Sequence, residues 1–339
     1  MELFLAVFCK EVKIKRQIKV IWGIGLMTIW GMVAGAMGAE KEFPNKVLEL
    51  VVPFVAGGSS DLMCRTMVAN AAPFLNNQPV VVINKAGAGT VAASKYVLDG
   101  RNDGYTLYNT STSSMMVAPL VHKTNFSWRD FVGLGQVIYE GDALFVRTEV
   151  PYNTMEKFIE YAKQNPGKIK YATSGAGGGS HLAMEGFAAS KGIVIKHIPT
   201  KGNAETVAAI LGGHITVAAG NPVAFRPYEE AGKLKCLAQF GHKRDMNFVP
   251  HIPTFKEQGI DVVVDLWRWI VVPKGVAPER VKILSGALKN ILHDKATLTS
   301  MEKIGCYVSY LPPDEYEPTM KKSEEIISRL VRIAGLDKK

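Results

Sequence analysis

The sequence is poor in cysteine, with four in 339 residues. None stands in a C-x-x-C pair or at the Cys/His spacing of a metal site, so the sequence predicts neither a metal centre nor a bound cofactor. Cys64, Cys236 and Cys306 follow the N-terminal segment and lie far apart. This spacing is typical of small buried side chains, with one disulfide as the alternative in an oxidising compartment.

Blocks of like charge are also missing. Charged residues make up 21% of the chain, and the formal net charge is +9 at pH 7. The first 35 residues hold five Lys or Arg and two Glu, which leaves 35 basic and 29 acidic residues, a net charge of +6, for the rest. A mild, dispersed excess favours small anions as partners. No nucleic-acid motif accompanies it, which argues against nucleic acid as a partner.

The N-terminal apolar run, Val20 to Val33, has only 14 residues and is short for a membrane span. It follows five basic residues and precedes the small residues of AGAMGAE. That order is typical of a secretory signal peptide, here residues 1–39, with cleavage between Ala36 and Glu40. The sequence therefore predicts an exported soluble protein, with an uncleaved membrane anchor as the alternative.

From residue 46 onward, short β-rich runs alternate with helical patterns, which predicts an α/β fold with parallel strands joined by crossover helices. The alternation runs in two series, and amphipathic helices after residue 273 are expected to pack back on the first. We therefore predict a discontinuous first domain, 45–142 plus 266–339, and a second domain, 143–265. The hinge between them is predicted near Gly141 and Trp267.

Four loops that follow predicted strands are rich in Gly, Ser, Thr or Asn. In open α/β sheets ligands bind beyond the carboxyl ends of the strands, where the first N–H groups of each following helix lack intrahelical partners. Glycine allows a ligand to come close to the backbone, and hydroxyl side chains add neutral hydrogen-bond donors for it. The pattern predicts an anion site assembled from both domains. The loops are 54–61, 109–114, 173–181 and 219–222.

A nucleotide site is the first alternative, and the loops do not fit it. The glycines of 175–179 do not give G-x-G-x-x-G, and the nearer match, GAGTVA at 87–92, is followed by a strand without a terminal acid. A Gly-Lys-Ser/Thr triad is also missing.

A hydrolase is the second alternative, because Ser174, Ser180 and His181 are close in sequence. Adjacent residues at a helix start point in different directions, whereas a base must reach its nucleophile. Neither G-x-S-x-G nor H-E-x-x-H is present. We therefore expect no enzyme, and we expect His181 to lie in the first helical turn as a neutral donor.

Several longer sequence segments resemble those of a known family. They include VVPFVAGGSSDLMCR, NDGYTLYNTSTS, NPGKIKYATSGAGGGSHLAMEGF and WRWIVVPKGVAPERV, in that order. In these phrases the sequence resembles the extracytoplasmic solute receptors of tripartite tricarboxylate transporters, the group named for Bordetella uptake genes. The resemblance runs from residue 43 to the C-terminus.

This resemblance implies a type II periplasmic binding protein of two domains, each a mostly parallel sheet flanked by helices, which closes on its ligand as a clam-shell. It implies a monomer that binds a small carboxylate: a di- or tricarboxylate, an acidic amino acid or an aromatic acid. The bound ligand would pass to a membrane permease. A sensor that presents its ligand to a membrane kinase is the alternative.

The resemblance also implies ligand contacts in all four loops. They are Phe54, Val55, Ala56, Gly57, Gly58 and Ser59 in the first; Thr110 and Ser111 in the second; Thr173, Ser174, Gly177, Ser180 and His181 in the third; and Asn221 in the fourth.

The chain departs from the family pattern near the predicted cleft. Ala56 stands where a proline is usual, Thr200 where a tyrosine is usual, and Thr216 and Gly220 where acids are usual. Thr200 is included among the predicted contacts. We expect these departures to leave more room and less negative charge.

Arg268 is a further departure, at a position where the family usually has a small or aromatic residue. Strand alternation places it opposite Trp267 and Trp269. Facing the cleft, its guanidinium could bind a carboxylate with two hydrogen bonds. The alternative is an ion pair with Asp265 or a surface acid near the hinge. Trp267 would form an aromatic wall if it faced the cleft instead, and core packing is the alternative for it.

Overall fold

The computed structural model of the chain describes residues 42–122 and 124–337, so the predicted signal peptide, 1–39, lies outside the described residues. All elements named below belong to one compact unit, residues 46–339. No helix in the described ranges is both long and apolar enough to cross a membrane.

The described chain forms strands and helices in alternation. The strands are β1 (Leu48–Val52), β2 (Val80–Asn84), β3 (Thr106–Ser111), β4 (Phe131–Glu140), β5 (Ala143–Arg147), β6 (Lys170–Thr173), β7 (Lys196–Pro199), β8 (Val217–Gly220), β9 (Leu234–Gln239), β10 (Leu266–Pro273) and β11 (Val308–Leu311). The helices are α1 (Ser59–Val68), α2 (Val91–Leu98), α3 (Ala118–Val121), α4 (Met155–Gln164), α5 (Gly179–Lys191), α6 (Asn203–Leu211), α7 (Pro222–Glu230), α8 (Pro278–His293), α9 (Lys295–Lys303) and α10 (Tyr316–Ile333).

The strands form two sheets, which confirms the predicted α/β class. One has the order β11-β4-β10-β3-β1-β2 and the other the order β7-β6-β8-β5-β9. The strands thus divide between the sheets as the predicted domain bounds require, and the bounds themselves stay a prediction. Only Gly141 and Asp142 separate β4 from β5, where the chain first passes between the sheets.

The sheets are mixed, so the prediction that each is mostly parallel was wrong. β1 pairs in parallel with β2 and β3, and β6 with β7 and β8. β10 is antiparallel to β3, and β5 is antiparallel to β8. β5 and β10 each follow a passage of the chain from the other sheet, so they enter from the opposite end. β11, which follows two helices, also runs antiparallel to β4. Local periodicity carries no signal for that direction.

Local sequence explains where several helices begin and end. The hydroxyl of Thr154 accepts the N–H of Lys157 and caps α4. Asn221 caps α7 in the same way, with Pro222 at the first helical position. α5 ends at Gly192, whose φ of 62° is a left-handed conformation that glycine adopts at little cost.

A continuous apolar core connects the two sheets. It includes Tyr108 of β3, Phe187 of α5 and Leu330 of α10, all of them buried. A Cβ at position 186 would lie 2.5 Å from Leu330 Cδ2, so Gly186 permits the close approach of α10 to α5. The tail helices were predicted to pack on the first series. α8 contacts β4 as expected, but α10 contacts both β4 and α5.

All three cysteines of the described chain are free thiols. Cys64 and Cys236 are buried and Cys306 is partly buried. The buried-hydrophobe interpretation therefore holds for the first two, and the structure contains no disulfide among the residues that it describes.

Candidate functional site

A cleft of about 540 Å³ opens where loops of the two sheets meet. Its walls come from the segments that follow the carboxyl ends of β1, β2, β3, β6, β7 and β8, together with β10 and the passage between β4 and β5. This is the position at which open α/β sheets bind ligands. The lining includes Phe54, Ser59, Thr90, Thr112, Ser113, Glu140, Asp142, Thr173, Ser174, Gly177, Ser180, His181, Asn203, Asn221 and Arg268.

The loop before α1 supplies Phe54 and Ser59 to this lining. Gly57 has a φ of +79°, and its N–H donates to Asp61 Oδ2 at 2.9 Å. Gly58 is the N-cap of α1. Of the other residues predicted in this loop, Val55 and Ala56 are exposed and lie outside the lining.

Asp61 fixes that loop as a charged group. Its carboxylate also accepts hydrogen bonds from Arg65 Nε at 3.0 Å and from Asn84 Nδ2 at 2.9 Å. Burial opposes the charged form, but the hydrogen bonds from Arg65, the Gly57 N–H and Asn84 outweigh it and lower the pKa of Asp61. The loop is therefore held by an ionised carboxylate at neutral pH.

The loop before α5 is held by a neutral imidazole instead. Gly177 has a φ of +75°, and its N–H donates to His181 Nδ1 at 3.0 Å. Burial lowers the pKa of His181, although the charge of Glu185 partly opposes this. His181 thus lies in the first turn of α5 as predicted, but its Nδ1 accepts a hydrogen bond rather than donating one.

A second histidine lies against the first. The rings of His181 and His197 stack with their centroids 3.9 Å apart. Thr173 Oγ1 lies 2.8 Å from His197 Nε2 and donates to the carbonyl of Gly175, so it accepts from the Nε2–H. Burial, reinforced by the charge of His181, lowers the pKa of His197 to about 4. Both imidazoles are therefore neutral at neutral pH.

Ser180 bonds to an acid that the sequence analysis did not select. Its hydroxyl donates to Asp142 Oδ2. Burial is the main cause that raises the pKa of Asp142 to about 6, and Glu140 adds to the increase while Ser180 and Arg268 oppose it. Because Ser180 bonds to Asp142 and His181 to a backbone N–H, these two neighbours form no nucleophile and base pair.

Arg268 faces the cleft, which settles the question that the strand pattern left open. Its Nε donates to Ser60 Oγ at 3.3 Å, and its Nη2 lies 3.6 Å from Glu140 Oε2. Asp265 is not its partner, because that carboxylate accepts the hydroxyl of Tyr139 at 2.7 Å. The ion pair with Glu140, next to Gly141, is the pair with an acid near the hinge that the sequence left as the alternative. The side chain of Arg268 is 16% exposed.

Two predicted contacts at the end of β3 point away from the cleft. Thr110 is fully buried, and its hydroxyl donates to the carbonyl of Trp269 at 3.1 Å. Ser111 is buried and pairs with Ser114. The residues of this loop that line the cleft are the next two, Thr112 and Ser113, because β3 continues to Ser111 before the chain turns.

Two further predicted contacts also have structural roles outside the lining. Thr200 donates to the carbonyl of Thr173 at 3.0 Å and so links β7 to β6. Trp267 is 1% exposed, and its indole N–H donates to Ser323 Oγ at 3.1 Å. Core packing, the alternative for Trp267, is therefore what the structure shows.

The lining residues that sequence reasoning missed include Thr90, Glu140, Asp142 and Asn203. The two acids flank Gly141. This glycine was used to predict the hinge, but its acidic neighbours were not considered as residues of the site. Thr90 is a non-glycine residue with a φ of +84° in the GAGT turn, a strained conformation that is frequent at functional sites.

The expected loss of negative charge is only partly realised. Gly220 lacks the usual acid, and a Cβ there would lie 3.0 Å from Asn203 Oδ1 and from Phe225 Cε2. Glu140 and Asp142 nevertheless place two carboxylates in the lining. Ligand contact by any of the lining residues stays a prediction.

The sequence and fold were compared with known proteins. The family model described as the tripartite tricarboxylate transporter family receptor matches residues 63–333. The UPF0065 protein in the gbd 5' region of Cupriavidus necator is 36% identical over 302 residues, which cover 87% of this chain and 90% of the relative.

Two solved structures have the same fold. A TctC solute binding protein from Polaromonas, solved without ligand, is 29% identical with a TM-score of 0.76, and the match covers 86% of this chain and 99% of that one. R. palustris Rpa4515, solved with adipate, is 26% identical with a TM-score of 0.73, and the match covers 87% of this chain and 99% of that one.

Proposed function

The chain belongs to the tripartite tricarboxylate transporter family of receptors, and from this premise we propose that it captures a small carboxylate in the cleft and delivers it to the membrane permease of such a transporter. Receptors of this family are periplasmic. We propose the same location for this chain, reached through the N-terminal signal segment that its sequence predicts.

The observation that carries this proposal is a cleft with one guanidinium between two glycine-rich loops. Among the described residues of the lining, Arg268 is the only Lys or Arg. Its Nε donates to Ser60 and its Nη1 to the carbonyl of Trp267, both at 3.3 Å, whereas Nη2 lies 3.6 Å from Glu140, which is too long for a hydrogen bond. The Nη2 N–H groups therefore remain able to bind an incoming carboxylate. The adipate in Rpa4515 adds support, because that relative has the same fold.

Closure of the cleft would complete the site. The loop before α1 belongs to one sheet and the loop before α5 to the other, and both line the same cleft. A carboxylate bound near Arg268 would gain the hydroxyls and backbone N–H groups of the second loop when the sheets approach. Several hydrogen bonds of about 1 kcal/mol each allow tight capture in the closed form and release on opening.

A receptor accounts for the site better than a hydrolase does. The family and the matched structures are solute-binding receptors. In the cleft, Ser180 bonds to Asp142 and His181 accepts the Gly177 N–H, so the two residues do not form a serine–histidine pair. We therefore propose binding without turnover.

A thermal-shift screen tests the proposal. The purified protein is heated with di- and tricarboxylates, acidic amino acids, aromatic acids and nucleotides. At a concentration about 100 times its Kd, a ligand raises the free energy of unfolding by about 2.7 kcal/mol, so a true ligand gives a clear increase in Tm. Stabilisation by nucleotides alone would overturn the proposed function.

A matched pair of variants locates the binding. Arg268→Gln is expected to lower the affinity for a carboxylate found in the screen by about tenfold or more, because a charge-assisted hydrogen bond is lost. Arg101→Gln, which removes an exposed guanidinium outside the lining, is expected to leave the affinity unchanged. Equal affinities for both variants would place the ligand elsewhere.

A further inference from the structure

The cleft has opposite charges on its two sides. On the side of α1, Ser60 accepts a hydrogen bond from Arg268 Nε at 3.3 Å. On the side of α5, Ser180 donates to Asp142 Oδ2. The serine at the start of α1 thus bonds to a cation on one wall, and the serine at the start of α5 bonds to an acid on the other.

The charges of the lining do not suit a dianion. Among the described lining residues, the only Lys, Arg, Asp or Glu are Arg268, Glu140 and Asp142. Glu140 forms an ion pair with Arg268, whereas the Asp142 carboxylate accepts a hydrogen bond from a neutral hydroxyl, that of Ser180. With both acids ionised, the lining carries a net charge of −1, and a dicarboxylate would place two more negative charges beside it.

Two of the described lining residues also carry buried polar atoms without hydrogen-bond partners. Thr90 is 8% exposed, and its Oγ1 has no hydrogen-bond partner among the residues that the structure describes. The same holds for Asn203 Oδ1, an acceptor in the lining. Buried groups of this kind are normally paired, and both oxygens can accept, so a ligand that supplies hydrogen-bond donors would satisfy them.

We propose that the ligand carries one carboxylate and one ammonium group, with the carboxylate at Arg268 and the ammonium at Asp142. Such a zwitterion has no net charge and matches the polarity of the two walls. Its ammonium offers three donors to Asp142, Glu140 and the unpaired acceptors. This inference rests on the proposed function, because it names the class of carboxylate that the same cleft takes.

Calorimetry with matched ligands tests the inference on the unmodified protein. The first set is 6-aminohexanoate, hexanoate and adipate, in which the terminal group is ammonium, methyl or carboxylate. The second set is 4-aminobutyrate, butyrate and succinate, and the third is 2-aminohexanoate against hexanoate. Any carboxylate found in the thermal screen is compared with its own ammonium-bearing analogue in the same way.

The outcomes separate the two proposals. Binding of an ammonium-bearing ligand at least tenfold tighter than its methyl and carboxylate analogues supports the inference. Tightest binding of the dicarboxylate in every set, or equal binding of all members, overturns it while the proposed function stands. If no carboxylate binds at all, both proposals fail.

Substitutions then assign the ammonium to Asp142. Asp142→Asn keeps the size of the side chain and an oxygen that can accept from Ser180. It should lower the affinity for the ammonium-bearing ligand by at least tenfold without lowering the affinity for the dicarboxylate. Glu325→Gln, an exposed acid of α10, is the matched control and should change neither affinity. Equal losses for both ligands in Asp142→Asn would contradict the assignment. If Asp142→Asn does not fold, Glu140→Gln provides the same comparison with a smaller expected loss.

Discussion

The loops before α1 and α5 follow equivalent strands and share one backbone path. β1 and β6 each lie between two parallel neighbours, β2 and β3 in one sheet and β7 and β8 in the other. Gly57 and Gly177 have φ values of +79° and +75°. The N-caps that follow, Gly58 and Gly178, have ψ values of 167° and 166°. The two halves of the cleft are thus built by the same local structure.

The loops differ in the group that closes them. In each, the N–H of the first glycine donates to a side chain four residues later, to Asp61 at 2.9 Å and to His181 at 3.0 Å. The first acceptor is an ionised carboxylate bonded to Arg65, and the second is a neutral imidazole stacked on His197. The same backbone can therefore be held by charge or by a neutral ring, and the two sides of the cleft respond differently to mutation and pH.

The largest effect is expected at Asp61. Asp61→Ala removes the acceptor of three hydrogen bonds, from the Gly57 N–H, Arg65 and Asn84, so we expect the free energy of unfolding to fall by about 2 to 3 kcal/mol. Urea denaturation measures this. Asp61→Asn, which keeps one acceptor oxygen, should lose less, and equal stability of Asp61→Ala and the wild type would show that the carboxylate does not hold the loop.

The shared glycine conformation is tested next. Gly57→Ala and Gly177→Ala each place a side chain in the left-handed region, at an expected cost of about 1 to 2 kcal/mol in the free energy of unfolding. An added Cβ meets nothing within 4 Å at Gly57 and only ordinary contacts at Gly177, so backbone strain is the common cause. Gly286→Ala, in open space on α8, is the control and should stabilise the protein slightly. Unequal losses at 57 and 177 would contradict the equivalence of the loops.

Much of this local structure could be predicted from the sequence. The strand pattern at 48–55 and 168–173 gave β1 and β6, and Gly192 marked the end of α5 because glycine favours the left-handed conformation there. The glycine-rich loops were recognised as walls of a site. These features depend on residues close together in the chain, which is why periodicity and composition reveal them.

Features that depend on distant pairing could not be predicted. The antiparallel direction of β5 and β10 is set by the passage between sheets, and the run of hydroxyls at 110–114 offers no local sign of which ones reach the cleft. Asp142 was missed because its role depends on Ser180, 38 residues away. The charge of a cleft is a property of the assembled walls, and a single loop does not reveal it.

Acidification is expected to affect the second loop first. Burial lowers the pKa of His197 from an ordinary 6.5 to about 4, so between these values the unfolded chain binds a proton that the folded chain excludes. The contribution of His197 to the free energy of unfolding should therefore fall as the pH falls through this window, by about 1 kcal/mol once screening at a half-buried ring is allowed for. The contribution of Asp142, whose pKa is raised to about 6, changes in the opposite direction, so the effect of His197 is read as the difference between the wild type and a variant without this ring.

The first loop should not respond in that window. The pKa of Asp61 is lowered from an ordinary 3.8, so its contribution is present above that value and is lost only as the pH falls through the lower, folded-state pKa. Denaturant melts between pH 7 and pH 4 measure the difference. His197→Gln should flatten the pH dependence, and an unchanged slope in this variant would assign the effect to other groups.

The smallest effects are expected at the two serines, and they test the polarity of the cleft. Ser60→Ala removes the acceptor of Arg268 Nε, so it should lower the affinity for every carboxylate by a similar factor, about two- to fivefold. Ser180→Ala removes the hydroxyl that stabilises the charged form of Asp142, so it should weaken only ligands that carry an ammonium group. Calorimetry of both variants with one zwitterion and one dicarboxylate measures this. Equal losses for both ligands in both variants would mean that the serines support the shape of the loops and not the charges on the two walls.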